Sequence, residues 1–223
     1  MTGLARIGLD RRPLRSTPGL EFWRSLGVGN DRRVALSFRP DRRAVFAVWR
    51  DEDALDDFLA ASDVARRWLD ARASWHVRLC LIEGHGSWAG AEPLADMDRG
   101  ATEGPVVTVT HASIAVRAVP AFTRRSRVVS RSLGEVSGLR AVVGVGELPI
   151  GRLGTVAVWA DDAAATRAPT SWPEHVAAMH HARERGWFTE SLFARFVPFH
   201  SAGTWSGIDP VAHDGGDLRA CQG

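Results

Sequence analysis

The stretch Gly86-Ser87-Trp88-Ala89-Gly90 returns 117 residues further on as Gly203-Thr204-Trp205-Ser206-Gly207. Gly27-Val28-Gly29 returns at the same interval as Gly144-Val145-Gly146. Between these anchors, Phe46-Ala47-Val48-Trp49 followed by Asp51-Glu52-Asp53-Ala54 matches Val156-Ala157-Val158-Trp159 followed by Asp161-Asp162-Ala163-Ala164, at an interval of 110. Three fragments in one order at nearly one spacing indicate an internal duplication, and the repeat is domain-sized, too long for a solenoid unit. A chain of 223 residues accommodates two such units of about one hundred residues each. Each unit then has one tryptophan between glycines, where the glycines let the backbone cross the ring as the unit closes.

The second unit is the easier to read. Val106 to Val109 follows Pro105 and is β-branched, which predicts a strand, and a helix is expected over Pro120 to Leu133. Leu139 to Trp159 holds two apolar segments around a Gly/Pro-rich turn and reads as a hairpin. Asp161 opens a helical region. Within it Ser171-Trp172-Pro173-Glu174 is a capping box, so a helix should run from Trp172 to Arg185 and stop at Gly186. Leu192 to Phe199 reads as the last strand. The order β-α-β-β-α-β is the ferredoxin-like unit. In the first unit Leu20 to Leu26 reads as the end of a helix, Val34 to Trp49 as the hairpin strands, Asp53 to Ala73 as a helix and Trp75 to Ile82 as the last strand. The counterpart of the strand at Val106 falls before Met1, so the first strand of this unit is expected to be missing. The expected organisation is an N-terminal half over 1–98, a C-terminal half over 105–210 and a flexible tail over 211–223. The two sheets should pack face to face with helices outside.

Composition excludes several functions. No apolar run approaches the roughly 20 residues of a membrane span, and the basic N-terminus lacks the apolar core of a secretory signal. A cytoplasmic location is the default, at the membrane periphery if the substrate is apolar. The net charge is +2 and the arginines are interspersed with carboxylates, which gives nucleic-acid binding little support. Two cysteines do not make a disulfide framework. Gly144-Val145-Gly146 joins strand to turn, whereas a phosphate-binding glycine loop leads into a helix. No serine or cysteine stands in a nucleophile context, and the histidines lack the spacing of a zinc helix motif.

At Gly19-Leu20-Glu21-Phe22-Trp23 with Leu26-Gly27, at Trp75 with Gly86-Ser87-Trp88, and at Gly144 to Pro149, the chain resembles the spheroidene monooxygenases of carotenoid biosynthesis. The most specific piece is His175 through Arg183 to Gly186-Trp187-Phe188-Thr189-Glu190-Ser191-Leu192-Phe193-Ala194-Arg195-Phe196, closed by Gly203-Thr204-Trp205. The resemblance spans Gly19 to Pro210. It implies an α+β fold of duplicated ferredoxin-like units forming a fused dimeric α+β barrel. It also implies oxygenation of an acyclic carotenoid by a b-type heme, with electrons from reduced ferredoxin. The chain departs from the family pattern in its late start and at His180, where an arginine is expected.

A heme needs an axial ligand, and a neutral imidazole on a fixed element is one. His175 shares a helical face with Ala178, Met179 and Ala182, because residues three, four and seven apart line up. This makes His175 the candidate proximal ligand to the iron. Met179 and Trp187 are candidate walls of the heme pocket and Arg183 a candidate partner of a propionate, although Trp187 also reads as packing and Arg183 as a solvated helix arginine. His180 and His181 fall with Arg183, Glu184 and Arg185 on the polar side, where solvation accounts for them. A heme carrier or sensor, and a cofactor-free monooxygenase or binding module, remain alternatives on the same fold. The unpaired edge left by a missing strand predicts a homodimer.

Overall fold

The computed structural model describes residues 3–29, 39–95, 97, 104–132, 136–147, 151–171 and 173–212, excluding the side chains of 3–8, 127–132, 169–171, 173–175 and 183. The chain is α+β. Its strands are β1 (Leu20–Val28), β2 (Arg39–Trp49), β3 (Trp75–Gly86), β4 (Val106–Ile114), β5 (Leu139–Glu147), β6 (Arg152–Trp159) and β7 (Phe188–Gly203). The helices are α1 (Gly3–Arg15), α2 (Glu52–Ala61), α3 (Asp63–Leu69), α4 (Val119–Ser132), α5 (Asp162–Ser171) and α6 (Pro173–Glu184). The second unit thus shows each predicted element in its predicted order. Its hairpin turn, residues 148–150, lies outside the described residues. Gly186, at φ +58°, ends the last helix, since a residue without Cβ adopts that conformation at little cost.

The first unit differs in three places. The hairpin expected within Val34 to Trp49 is instead β1 paired with β2, residues 34–38 lying outside the described residues. Leu20 to Leu26 is a strand, and the helix before it is α1. The three-residue spacing of Leu20, Trp23 and Leu26 imitates a helix. The strand's true inner row is Phe22, Arg24, Leu26 and Val28, and an inward arginine breaks the alternation that marks a strand. The long helix expected over Asp53 to Ala73 is two helices. Ser62 is extended at φ −81° and ψ 130°, and its hydroxyl accepts the Val64 N–H to start α3, a role that serine fills better than it fills a helix interior.

All seven strands form one antiparallel sheet in the order β2-β1-β5-β6-β4-β7-β3. The strands of the two units do not form separate facing sheets; they join edge to edge, through β1 with β5 and β3 with β7. The sheet curls so that its ends meet around one core. Phe46 of terminal strand β2 lies 6.2 Å from Phe196 of β7 and 5.5 Å from Trp88 just beyond β3. The inner face buries Phe22, Leu26, Val28, Val48, Leu81, Val109, Val145, Leu192 and Phe196.

Helices cover the outer face. Leu14, Phe58 and Val64 of α1 to α3 pack on Trp23 and Trp49, and Asp10, 1% exposed, ties that layer together. Its carboxylate accepts from Arg43 of β2 at 2.8 Å and from Arg67 and Trp68 of α3 at 2.6 and 3.0 Å. Cys80 is disulfide-bonded, where the cysteine count had indicated no disulfide framework. Val211 is fully buried against Val107 and Val158, while 213–223 lie outside the described residues. No helix among the described residues is long and apolar enough to cross a membrane.

The recurrent fragments adopt matching conformations. Ala89 and Ser206 both have φ 54°, and Trp88 with Ala91 and Trp205 with Ile208 each form an isolated bridge. Gly19 and Gly138, at φ +72° and +80°, both lie against an alanine, Ala54 and Ala164. These glycines stand 119 residues apart, and Gly27 pairs with Gly146 across β1 and β5. The structural correspondence of β1 with β5 is therefore 119, two more than the glycine match in the sequence. A shift of two in a strand keeps each side chain on its own face, so a Gly-x-Gly pattern matches itself either way.

A Cβ on Gly86 would lie 2.1 Å from the Ser191 carbonyl oxygen, and one on Gly203 2.2 Å from that of Ser74, both at positive φ. Gly86→Ala and Gly203→Ala are each expected to lower stability by about 2–5 kcal/mol, combining left-handed strain with overpacking. Urea unfolding of both variants checks this; a near-neutral Gly203→Ala would contradict the close approach.

Candidate functional site

The sequence candidates lie on α6 and just past it. Ala182 is 1% exposed and Ala178 and Met179 are half-buried, whereas Ala177 and His180 are exposed and Val176 is 40% exposed. The helical row expected to face inward is thus the covered one. The side chains of His175 and Arg183 and of the capping-box residues Ser171 and Glu174 lie outside the described residues, as does Trp172. Trp187 is buried with Ala182, Ile114 and Ala118, next to Phe122 and Phe188. Its backbone carbonyl accepts the Ala115 N–H at 2.9 Å, so its packing role is visible. His180 pairs with Glu184 in solvent at 3.4 Å. His181 sets its ring edge-on to Trp187 at 4.9 Å, and loss of solvent, then the Arg125 and Arg185 charges, draw its pKa below the ordinary value. Trp187, Met179 and α6 therefore gather on the outer, helix-covered face.

A second constellation lies on the inner face, at one rim of the sheet. The register aligns Glu147 with Arg152, Arg152 with Ser113, and Ser113 with Glu190, a polar row across β5, β6, β4 and β7. One step further in, His111 stacks on the Trp88 indole at 4.4 Å and 10°. The indole is itself stacked on Phe46, and its Nε1–H donates to Glu147. The Arg24 guanidinium sits over the Phe22 ring at 4.4 Å, 3.8 Å from the Glu147 carboxylate, and its buried Nε has no hydrogen-bond acceptor. Glu190 accepts the Ala89 and Gly90 N–H groups at 2.9 and 2.7 Å, and the Ser113 hydroxyl at 3.3 Å. That hydroxyl is 3.4 Å from His111 Nε2, and Glu190 Oε2 is 3.8 Å from the same nitrogen.

Environment sets the charge states. Burial pushes the His111 pKa down to about 4; the Glu190 carboxylate works against this, and Arg152 and Arg24 reinforce it. The imidazole is neutral at neutral pH. Burial also opposes a charge on Glu190, but the N–H groups of Gly90 and Ala89 and the hydroxyls of Ser87 and Ser113 outweigh it and hold the carboxyl below its ordinary value. The arrangement is a neutral imidazole facing an ionised carboxylate across a serine, at the edge of an aromatic wall. It has the chemistry to accept and return a proton.

Sequence reasoning missed His111, Glu190, Glu147 and Arg24, and took Trp88 as mainly structural. A signal was present. Val107-x-Val109-x-His111-x-Ser113, Val143-x-Val145-x-Glu147 and Glu190-x-Leu192-x-Ala194-x-Phe196 are period-two rows that each turn polar at one end. The antiparallel topology brings those three ends to the same rim.

No family model matches the chain. It is 31% identical over 214 residues to the spheroidene monooxygenase of Rhodobacter capsulatus, covering 94% of this chain and 88% of that one. It is 32% identical over 206 residues to the spheroidene monooxygenase of Rubrivivax gelatinosus, covering 92% of this chain and 79% of that one. Among solved structures, a putative monooxygenase from Lactobacillus acidophilus NCFM matches 90% of this chain and 89% of its own at a TM-score of 0.42 and 14% identity, a likeness too loose to build on.

Because the folded His111 titrates near 4 and the unfolded one at 6.5, the unfolded state binds the extra proton between these values. Stability is full above 6.5 and falls as the pH drops toward 4, by about 3 kcal/mol from this group across the window. His111→Gln is expected to flatten the pH dependence of the urea-unfolding free energy by that amount relative to wild type. Parallel profiles would show that the imidazole is not held neutral.

Proposed function

The chain belongs to the spheroidene monooxygenase family, and from that premise we propose that it is a heme-dependent monooxygenase that oxygenates an acyclic carotenoid with electrons from reduced ferredoxin. The observation that carries this reading is the extent of the similarity, 94% of the chain, which takes in both the α6 face and the aromatic interior. Phe22, Phe46, Trp88 and Phe196 line that interior with ring contacts of 5.5 to 6.4 Å. Flat aromatic faces suit a flat conjugated chain. In this reading the recurrent elements are a duplicated ferredoxin-like unit fused into a dimeric α+β-barrel arrangement, with halves over 1–98 and 105–210, working in the cytoplasm at the membrane face.

The make-up of the α6 face supports a heme there. The covered row of Ala178, Met179 and Ala182 is apolar and narrow, Trp187 stands beside it, and position 175 continues the same row. We assign His175 as the axial ligand, Arg183 as a partner of a propionate, and Met179 and Trp187 as walls. When bound, the heme supplies the binding and reductive activation of dioxygen. The protein residues orient the macrocycle and exclude water. A cofactor-free oxygenase is the second reading, favoured by the neutral His111 beside Glu190.

The visible spectrum of protein expressed with ample heme separates the readings. A stoichiometric Soret band is expected in the wild type, retained in His180→Ala and His181→Ala and lost in His175→Ala with unfolding behaviour unchanged. No Soret band in the wild type would favour the cofactor-free reading. A band without turnover of an acyclic carotenoid, reduced ferredoxin being supplied, would mark a heme carrier or sensor. An unaltered band in His175→Ala would remove the ligand assignment.

A further inference from the structure

Neighbouring strands alternate in direction along the whole sheet, and seven is an odd number, so the terminal strands β2 and β3 run parallel to each other. An antiparallel ladder cannot join them directly, and among the described residues no ladder does. The internal repeat shows what the seam lacks. β2 matches β6 at an interval of 110, and β3 matches β7 at 117. Between β6 and β7 lies β4, which pairs with both: Val107 stands between Val158 and Phe196, and Val109 between Val156 and Ala194. The counterparts of these walls are Val48 with Leu79 and Phe46 with Val77, at the two sides of the seam. Ala194 and Phe196 are buried, whereas Val77 and Leu79 are half-buried.

The outer face repeats the arrangement. Arg195 of β7, opposite Thr108 of β4, donates to Asp162 and Thr166 of α5 at 2.5 and 2.6 Å. α5 follows β6, so this bridge passes over β4. Arg78, the counterpart of Arg195, donates to Glu52 and Asp56 of α2, the counterparts of Asp162 and Thr166. β3 is tied to α2 as β7 is to α5, across the seam that β4 fills in the second unit. Trp159 donates its Nε1–H to the Thr108 hydroxyl at 3.0 Å; among the described residues Trp49, its counterpart, has no such acceptor. From these correspondences we propose that the seam between β2 and β3 is an acceptor site for one β-strand, an extended segment of the same polypeptide joined to the N-terminal end of α1, which closes the sheet.

The walls define the occupant. It runs antiparallel to both neighbours and bonds on both sides, so it is unpaired before it docks. An edge strand of a folded second copy has one free side and serves one wall only. The link to α1 follows from the repeat, because β4 leads through residues 116–118 into α4, and α1 precedes β1 as α4 precedes β5. The positions between Val48 and Leu79 and between Phe46 and Val77 face the core and take apolar, β-branched side chains. The position between them, next to Arg78 and Trp49, takes a hydroxyl as Thr108 does. The seat is short. A Cβ on Gly154 of β6 would lie 2.1 Å from the Thr110 carbonyl oxygen of β4, and β2 carries Ala44 at that place. Pairing is therefore confined to Val45 to Trp49 of β2 and His76 to Leu79 of β3. Docking gives the free backbone groups of both edges their partners and removes the half-buried apolar row from water.

Amide hydrogen exchange tests this on two proteins: the chain as it stands, and the same chain with a copy of its own residues 105–118, β4 and the turn after it, fused ahead of Gly3. The added copy is expected to slow exchange by about tenfold or more at alternate amides of both Val45–Trp49 and His76–Leu79, and to raise the urea midpoint. Val107→Asp with Val109→Asp in the added copy alone should abolish the protection. A synthetic peptide of residues 105–115, added in excess to the unextended chain, should protect the same amides saturably, and it decides the matter if the extended chain does not fold. Protection of one strand only means addition at a single edge and overturns the two-sided seat. No protection from either the fused or the free segment, or protection that survives the aspartates, overturns it as well. Edge amides of the unextended chain that are protected in step with dimer formation in sedimentation would assign the seam to a second copy and overturn the link to α1.

Discussion

The antiparallel pairing of β3 with β7 is the seam on which the rest of the structure depends. It runs from Trp75 opposite Gly203 to Gly86 opposite Leu192, so each strand ends beside the start of the other. The Ser87 N–H donates to Ser191 and the Thr204 N–H to Ser74, at 2.9 and 2.8 Å. Each glycine-flanked tryptophan is thereby delivered to the opposite unit. Trp88 reaches the aromatic wall because β3 is bonded to β7, and Glu190 reaches the Gly90 and Ala89 amides for the same reason. The long reach in sequence that this pairing demands is offset by the continuous core that the curled sheet encloses.

Within that core, two demands conflict. Apolar rows from every strand converge on the interior and stabilise it by burial, while a row of charges occupies one rim. The charges are tolerated because they are mutually bonded: Glu190 holds two backbone N–H groups and a hydroxyl, and Glu147 holds the Trp88 indole and faces Arg24. The partial exception is Arg24, whose Nε is buried without an acceptor. A buried donor of this kind is costly, and it lies in the one part of the interior where polar chemistry is concentrated. The outer face carries a separate polar anchor in Asp10, bonded to Arg43, Arg67 and Trp68.

Much of the second unit was legible in the sequence because its signals are local. The apolar pairs of the hairpin, the glycine stop at Gly186 and the β-branched run at Val106 each act within a few residues. The first unit was less legible where a polar side chain interrupted the pattern. Arg24 faces the core, so the strand around it read as a helix, and Ser62 ended a helix whose apolar spacing continued past it. The candidate site divides similarly. Helical periodicity alone placed Ala178, Met179 and Ala182 on a covered face. His111 looked like any polar residue in a strand.

The sequence by itself determined the α+β class, the recurrence of a domain-sized pattern and the covered face of α6, because periodicity and glycine placement are properties of neighbouring residues. Only the tertiary structure decided that the strands form one sheet joined through β1 with β5 and β3 with β7. That same closure set Glu147, Arg152, Ser113, Glu190 and His111 side by side. These residues span 80 positions of the chain, and their proximity arises from strand register. Register is fixed by which apolar rows can be buried together, a collective property that no single stretch carries.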